Sequence, residues 1–506
     1  MSAAKRLAYN SAFNVGATMF SAGLSFILVP IILSSLGESV YGVWALVGSV
    51  FSYSYVMGLG MNSATNREVP GLLVKGDQKG LREVMSTAVA FFSGVGLICA
   101  LLTAVLYHGF CDWFAIPAQM HATARATILA VGTGITLAAP LQPFGGLLSG
   151  YQRYDIMALG RILPLCCRAL LIIALVSGPA RLFVLGLIAT GTELTIYVIY
   201  LFASLRLLPS GTFSPRAANW SLLRRMLAYG VNTWLYGLGV VIMGKTTEIV
   251  LGILCNTEAV ARYSIASSAI FLLGGMVETF CGPLKPMVSD LQARGKDQQV
   301  VKVAFAYQKL VLLIAIPTVA FMVVMGKEFL LLWTRKDMPE ASLALAILAI
   351  GYLFRLSQHS NFLVLVGLGE HRLFGVVTVC MGVASVLLVG LFVALGWGMV
   401  GAALGNMVAL AILGAVVLPR LFRSKMGLGP WQGLARSWKP ALICSVPAIA
   451  SLLLWKLLRP PQSWAELVPG ILAVALIMVV STWKLGLLKE EKSMVYSLVG
   501  VTAKAP

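Results

Sequence analysis

Lys245 and Glu248 are the only charged residues in a long run, Met226 to Leu254, that is otherwise apolar or neutral. At a rise of 1.5 Å per residue, such a run can cross a hydrocarbon core of roughly 30 Å. A charge near the middle of that helix costs about 3 kcal/mol on insertion scales, so it normally faces a partner or a water-filled cavity. The spacing of three places both side chains on one helix face, within reach of each other. Two readings follow: a neutralised structural ion pair, or part of a transport site. Gly239, Gly244, Lys245 and Thr246 also match the phosphate-loop pattern G-x-x-x-x-G-K-[ST]. That pattern cradles phosphates only between a strand and a helix. Here Val240, Val241, Ile242 and Met243 fill it inside an apolar run. Nucleotide binding is not expected.

Other charges lie at similar depth. Arg168 and Arg355 join Lys245 as cations inside apolar runs, and Glu193 and Glu278 join Glu248 as acids. Buried cations of this kind suit an anionic substrate, because fixed positive charge offsets its desolvation. Burial favours a neutral carboxyl and a nearby cation favours a charged one. Each acid is therefore a candidate for coupling to H⁺ or Na⁺, or simply a counter-charge to the cations. Glu278 has no cation near it in sequence, which makes it the better coupling candidate. His359 stands four residues after Arg355 and can join its cluster or be a hydrogen-bonded interior residue. Lys309, near a span end, is expected to snorkel to the surface. Asn14 and Asn232 are candidates for bonding substrate hydroxyls, or for bonding across a helix interface. Arg67, Arg153 and Asp155 fall at cytoplasmic span ends, as orientation signals or as an ion-pair gate. Pro140, Pro143, Pro283 and Pro286 are expected to kink their spans.

The elements that position these residues are membrane helices. The chain has 506 residues, 59% hydrophobic and 11% charged, with a mean hydropathy of +0.88. Soluble domains carry about 25% charged residues, so an all-α polytopic membrane protein is indicated. The apolar runs are long and continuous, unlike the alternating strands of a barrel. A net charge of +19 would suggest nucleic acid in a soluble protein. Here it reads as the cytoplasmic bias of loop charges, and no nucleic-acid partner is expected. The Lys285–Lys302 segment fits that bias, or a contact with anionic lipid heads. Eight cysteines show neither metal-ligand spacing nor a disulfide framework. No cofactor or metal is expected, and the basic N-terminus leads into an uncleaved first helix rather than a signal peptide.

Apolar runs between polar punctuation predict fourteen spans: 11–35, 40–62, 83–108, 122–148, 156–177, 182–204, 227–254, 260–284, 303–325, 341–367, 373–395, 398–419, 440–457 and 467–487. With the N-terminus in the cytoplasm, and residues at span ends counted with the adjoining loop, 26 of the 38 basic residues sort to the cytoplasmic side and eight to the other. Both termini are therefore expected inside. The chain also repeats. Arg6 recurs as Arg225, Asn14 as Asn232, Glu38 as Glu258 and Gly150 as Gly367, at offsets of 219, 218, 220 and 217. Parallel repeats of six spans are a transporter architecture with substrate bound between the halves. The expected organisation is a six-helix lobe at 1–206, a second at 207–424, and helices 13 and 14 with a cytoplasmic tail at 425–506.

Three segments carry a family resemblance: Leu36-Gly37 with Tyr41-Gly42-Val43-Trp44-Ala45-Leu46; Gly58-Leu59-Gly60-Met61-Asn62-Ser63-Ala64-Thr65-Asn66-Arg67-Glu68; and Gly150-Tyr151-Gln152-Arg153-Tyr154-Asp155 with Ala158. In their order and spacing they resemble the polysaccharide-exporter branch of the MOP superfamily, the Wzx-type lipid-linked oligosaccharide flippases. The likeness covers nearly the whole chain. It implies a two-lobed transporter, not an enzyme, in the bacterial cytoplasmic (inner) membrane. Such a transporter moves an undecaprenyl-pyrophosphate-linked oligosaccharide to the outer leaflet by alternating access, without ATP, beside a polysaccharide polymerase. Two departures stand out: Met57 and Gly58 occupy places where the family often has an acid, and Thr247-Glu248 stands where it often has Asp-Arg. Three other readings compete. A cation-coupled multidrug exporter would favour an acidic cavity. A peptidoglycan lipid-precursor flippase shares the charge logic. A membrane glycosyltransferase or ligase needs a catalytic outer loop, and the outer loops here are short.

Overall fold

In lipid, each backbone N–H and C=O has to be bonded within its own segment, which is why continuous apolar runs fold as helices. The computed structural model describes residues 3–176, 181–207, 217–282, 284–429 and 431–486, apart from some side chains within helices. Among the described residues the regular elements are all helical. Eleven helices are long and apolar enough to cross a membrane, or twelve if the bent pair Glu38–Val56 and Met61–Lys75 forms one span. The sequence suggests fourteen, and two of those expected spans, 373–395 and 398–419, fall within one of the eleven. Arg372–Met426 is one continuous stretch of 55 residues. A left-handed backbone at Gly396 and Gly398 breaks it. Thr257–Cys281 is a further helix of 25 residues. The chain is a multi-pass membrane protein.

Cα packing divides the chain into two units, Met1–Ser268 with His371–Ala402, and Ala269–Glu370 with Ala403–Pro506. The first unit has its core around Met61, Phe92, Leu147, Leu148 and Met226, all nearly inaccessible. Its span Ala118–Gly150 bends through a 3₁₀ turn at Ala139–Leu141, where Pro140 removes a helical hydrogen bond as expected. The bent second span turns at Gly60, whose φ is +71°. A Cβ there would lie 2.2 Å from the carbonyl oxygen of Gly230, so the two backbones touch directly. Gly239, the first glycine of the phosphate-loop match, serves the same end: a Cβ would meet the Thr378 backbone at 2.6 Å. It lies within one unbroken helix, Trp220–Leu254. Its role is close helix packing.

The second unit is built on the long helix Asp297–Thr334, packed against Pro339–Ser357 and Lys439–Leu458. Leu312, Ile316, Cys444, Ala448 and Met478 fill its core. The helix Thr257–Cys281 ends just before Pro283, which lies outside the described residues, as does the Pro286 side chain. All eight cysteines are free.

The repeat read from the sequence has a structural counterpart. Gly150 closes a nine-residue helix, Gln142–Gly150, and Gly367 closes another, His359–Gly367. After each, two amides bond back in the same 5→2 and 6→1 pattern: Gln152 to Ser149 and Arg153 to Leu148, then Gly369 to Val366 and Glu370 to Leu365, all at 2.9–3.1 Å. This is the Schellman closure, which needs a left-handed residue. Gln152 supplies it at φ +57° and Gly369 at +90°. Gly150 is seated on Val69 and Gly367 on Val288. Each copy lies within its own unit.

Candidate functional site

Helix Trp220–Leu254 carries the central pair. Lys245 Nζ donates to Glu248 Oε1 at 3.2 Å and to Oε2 at 3.4 Å. The Glu248 side chain is 1% exposed and that of Lys245 35%, so the acid is sealed and the ammonium is not. Ser49, fully buried on helix Glu38–Val56, donates its hydroxyl to Glu248 Oε2. One turn along the same helix, the Tyr53 hydroxyl bonds the hydroxyl of Thr246. Two charge-assisted donors meet the desolvated carboxylate, which is what keeps a buried charge tolerable.

A second acid is served by the same helix. The Tyr55 hydroxyl donates to Glu193 Oε1 at 2.9 Å. Arg168, on helix Tyr154–Leu175, has Glu193 and Tyr55 as its electrostatic neighbours. Its Nε is buried without a hydrogen-bond partner. Ser49 and Tyr55 thus reach Glu248 and Glu193 from one helix, and Tyr53 between them reaches Thr246. Sequence reasoning passed over them. The available signal was the hydroxyl-rich run Ser49-Val50-Phe51-Ser52-Tyr53-Ser54-Tyr55 inside a span.

In the second unit, Arg355 Nη2 lies 3.6 Å from Glu278 Oε1, with side chains 21% and 52% exposed. Glu278 therefore has a cationic partner that its sequence neighbourhood hides. The guanidinium also stands over the Tyr352 ring at 5.4 Å. His359 is within electrostatic reach of Arg355, and its ring packs 5.8 Å from that of Phe362. Lys309 departs from expectation. It is 5% exposed and donates to the Gly486 carbonyl at 3.2 Å, so it is held inside the unit instead of snorkelling. A backbone carbonyl thus gives the buried ammonium an internal partner.

The three gate candidates do not form one cluster. Arg153 and Asp155 pair with each other at 3.0 Å, both more than a third exposed. Hydrogen bonding to Asp155 raises the Arg153 guanidinium above its ordinary range. Arg67 instead stacks over Tyr229, 4.3 Å from its centroid. Asn14 and Asn232 lie in helices, but their side chains fall outside the described residues.

The model of a family described as polysaccharide biosynthesis protein matches residues 152–335. The MatE family model matches residues 15–176. No match is found among curated proteins. Among solved structures, an inward-facing multidrug resistance MATE family transporter of the MOP superfamily is 16% identical, with a TM-score of 0.67 over 80% of this chain and 94% of that one. The lipid II flippase MurJ, in an inward closed conformation, is 15% identical, with a TM-score of 0.68 over 96% of this chain and 99% of its own. A MOP superfamily transporter from Pyrococcus furiosus is 18% identical, with a TM-score of 0.59 over 83% and 96%. Two family models matched in succession, on a fold shared with these transporters, support a polysaccharide exporter of the MOP superfamily.

Proposed function

We propose that the protein is a flippase that carries an undecaprenyl-pyrophosphate-linked oligosaccharide from the inner to the outer leaflet of the bacterial cytoplasmic membrane. The observation that carries this reading is the polysaccharide-biosynthesis match over residues 152–335. Arg168, Lys245 and Arg355 supply positive charge for the pyrophosphate, with Asn14 and Asn232 offered to the sugars. Glu278, Glu248 and Glu193 are the coupling candidates for H⁺ or Na⁺, and Arg67, Arg153 and Asp155 act at the cytoplasmic end. The polyprenyl tail has a suitable surface in the second unit. An apolar groove of about 550 Å³ is lined by Leu310, Ile314, Pro317, Ile471 and Val474. The lobes 1–206 and 207–424 give alternating access, with 425–506 as an appended helix pair, and the product passes to a polysaccharide polymerase.

A second reading has its own support. The lipid II flippase covers 96% of the chain, against 80% for the MATE transporter, and that difference is about the size of the last two helices. A peptidoglycan-type lipid precursor is therefore the nearest competing substrate. Mass spectrometry of polyprenyl-pyrophosphate lipids from cells lacking the gene separates the two. Accumulation of a complete oligosaccharide unit, reversed by wild type but not by Arg168→Ala with Lys245→Ala, is the expected result. Accumulation of a peptide-bearing precursor moves the assignment to the second reading. No lipid accumulation, with raised sensitivity to cationic drugs, overturns both and favours an exporter.

A further inference from the structure

A cavity of about 350 Å³ lies within the second unit, apart from the charge pairs described above. Its size is at the lower end of small-ligand pockets. Phe305 and Gln308 reach it from one face of helix Asp297–Thr334, three residues apart. Gln358 and Asn361 reach it from the break between Pro339–Ser357 and His359–Gly367. Phe354 and Trp438 close it with their rings 6.0 Å apart. Two of the walls come from π-helical turns, Ile412–Val417 and Leu434–Trp438, a rare element that gathers at functional sites.

The polar groups of this cavity form a short hydrogen-bonded chain that leaves buried acceptors open. Asn361 donates its Nδ2 to Gln358 Oε1 at 2.8 Å, and Gln358 donates onward to Ser357 Oγ at 3.3 Å. Each amide nitrogen in that chain keeps one further N–H. Gln308 Oε1 and Asn361 Oδ1 are left as acceptors without a partner, on residues only 2% and 3% exposed. Buried acceptors left open in this way are costly and call for a ligand that donates. A cation is disfavoured, because Arg423 lines the cavity and Arg436 stands 5.7 Å from the Phe305 ring. An anion is disfavoured by the open carbonyl oxygens. Aromatic walls favour a molecule with a flat C–H face.

We infer that this cavity binds a neutral, hydroxyl-bearing ring, a hexose unit, with Gln308 and Asn361 accepting from its hydroxyls and Trp438 and Phe354 together forming an aromatic wall against one of its faces. The ring comes either from a free saccharide or from a glycolipid headgroup. Binding is read on the purified chain, so the inference stands or falls separately from the transport reading.

The test uses the full chain in nanodiscs washed free of sugar detergent, with saturation-transfer NMR. Methyl glycosides of glucose, galactose and N-acetylglucosamine form one arm, and discs doped with glucosyl diacylglycerol form the other. At least one hexoside is expected to receive saturation at its ring C–H protons. Gln308→Met and Asn361→Leu should each weaken it at least five-fold, while Ser342→Ala, in the first turn of helix Pro339–Ser357, leaves it unchanged. A signal from free glycosides assigns a soluble source, and one confined to doped discs assigns a headgroup. No sugar signal in either arm, or one indifferent to both substitutions, overturns the inference. Should a variant fail to fold, a diazirine-bearing glucoside on the unsubstituted chain answers the same question. Labelling at residues 305–308 and 354–361 supports the pocket, and labelling elsewhere or none overturns it.

Discussion

Lys245 and Glu248 meet on one helix, whereas Arg355 and Glu278 meet between two. The first acid is sealed at 1% exposure and takes a second donor from Ser49. The second acid is 52% exposed, and its cation sits at 3.6 Å. The same pair of charges thus serves two physical ends. A sealed carboxylate with fixed donors has nowhere to move and no water to exchange with. A half-exposed one at the edge of hydrogen-bonding distance can gain or lose its partner as the surroundings change. On the proposed function, the second pair is therefore the better placed of the two for ion coupling.

Breaking the sealed pair should give the largest effect. Lys245→Met strands Glu248 and is expected to cost about 3 kcal/mol, the low end for a buried pair because Lys245 keeps contact with solvent. Thermal unfolding in detergent would show it, and the double variant Lys245→Met/Glu248→Gln should recover most of the loss. Transport should not recover in the double variant; if it does, Lys245 is structural only. Ser49→Ala comes next, at about 1.5 kcal/mol for a lost hydrogen bond to a charged group. It should be additive with a distant substitution but not with Glu248→Gln.

Arg355→Met should cost about 1 kcal/mol or less, as expected for a partly solvated pair. Its signature lies in transport. Glu278→Gln is expected to remove the dependence of flux on an imposed H⁺ or Na⁺ gradient in proteoliposomes while leaving melting nearly unchanged. Unchanged gradient dependence would erase the contrast between the two pairs. The smallest effect belongs to Asp155→Asn, a surface pair worth under about 0.5 kcal/mol. A large drop in transport from that change would make it a gate residue rather than an orientation signal.

How much of this was legible depends on the distance along the chain. Lys245 and Glu248 could be paired from the sequence because a helix fixes what lies three residues away. Glu278 and Arg355 are 77 residues apart, and no local rule joins them. The helical class was plain from long apolar runs, and the repeat from its regular offsets. The break at Gly396 and Gly398 was legible as well, because it falls between the expected spans 373–395 and 398–419. Lys309 was misplaced because its partner, the Gly486 carbonyl, is a backbone atom that no side-chain pattern records. Gln308, Gln358 and Asn361 escaped notice for a similar reason. They carry no charge to mark them out, and only the fold brings them around one space.

The contact between Gly60 and Gly230 also has a meaning in time. The bend of the second span is seated against a backbone that is made 170 residues later. At a synthesis rate of 5–20 residues per second, that is a wait of roughly 10–35 s. During this interval the second span is in the membrane without the neighbour that fits its left-handed turn. The first unit is therefore completed only once helix Trp220–Leu254 has emerged and inserted. A side chain at either glycine would register first as a failure of membrane assembly during synthesis, before it could register as a loss of transport.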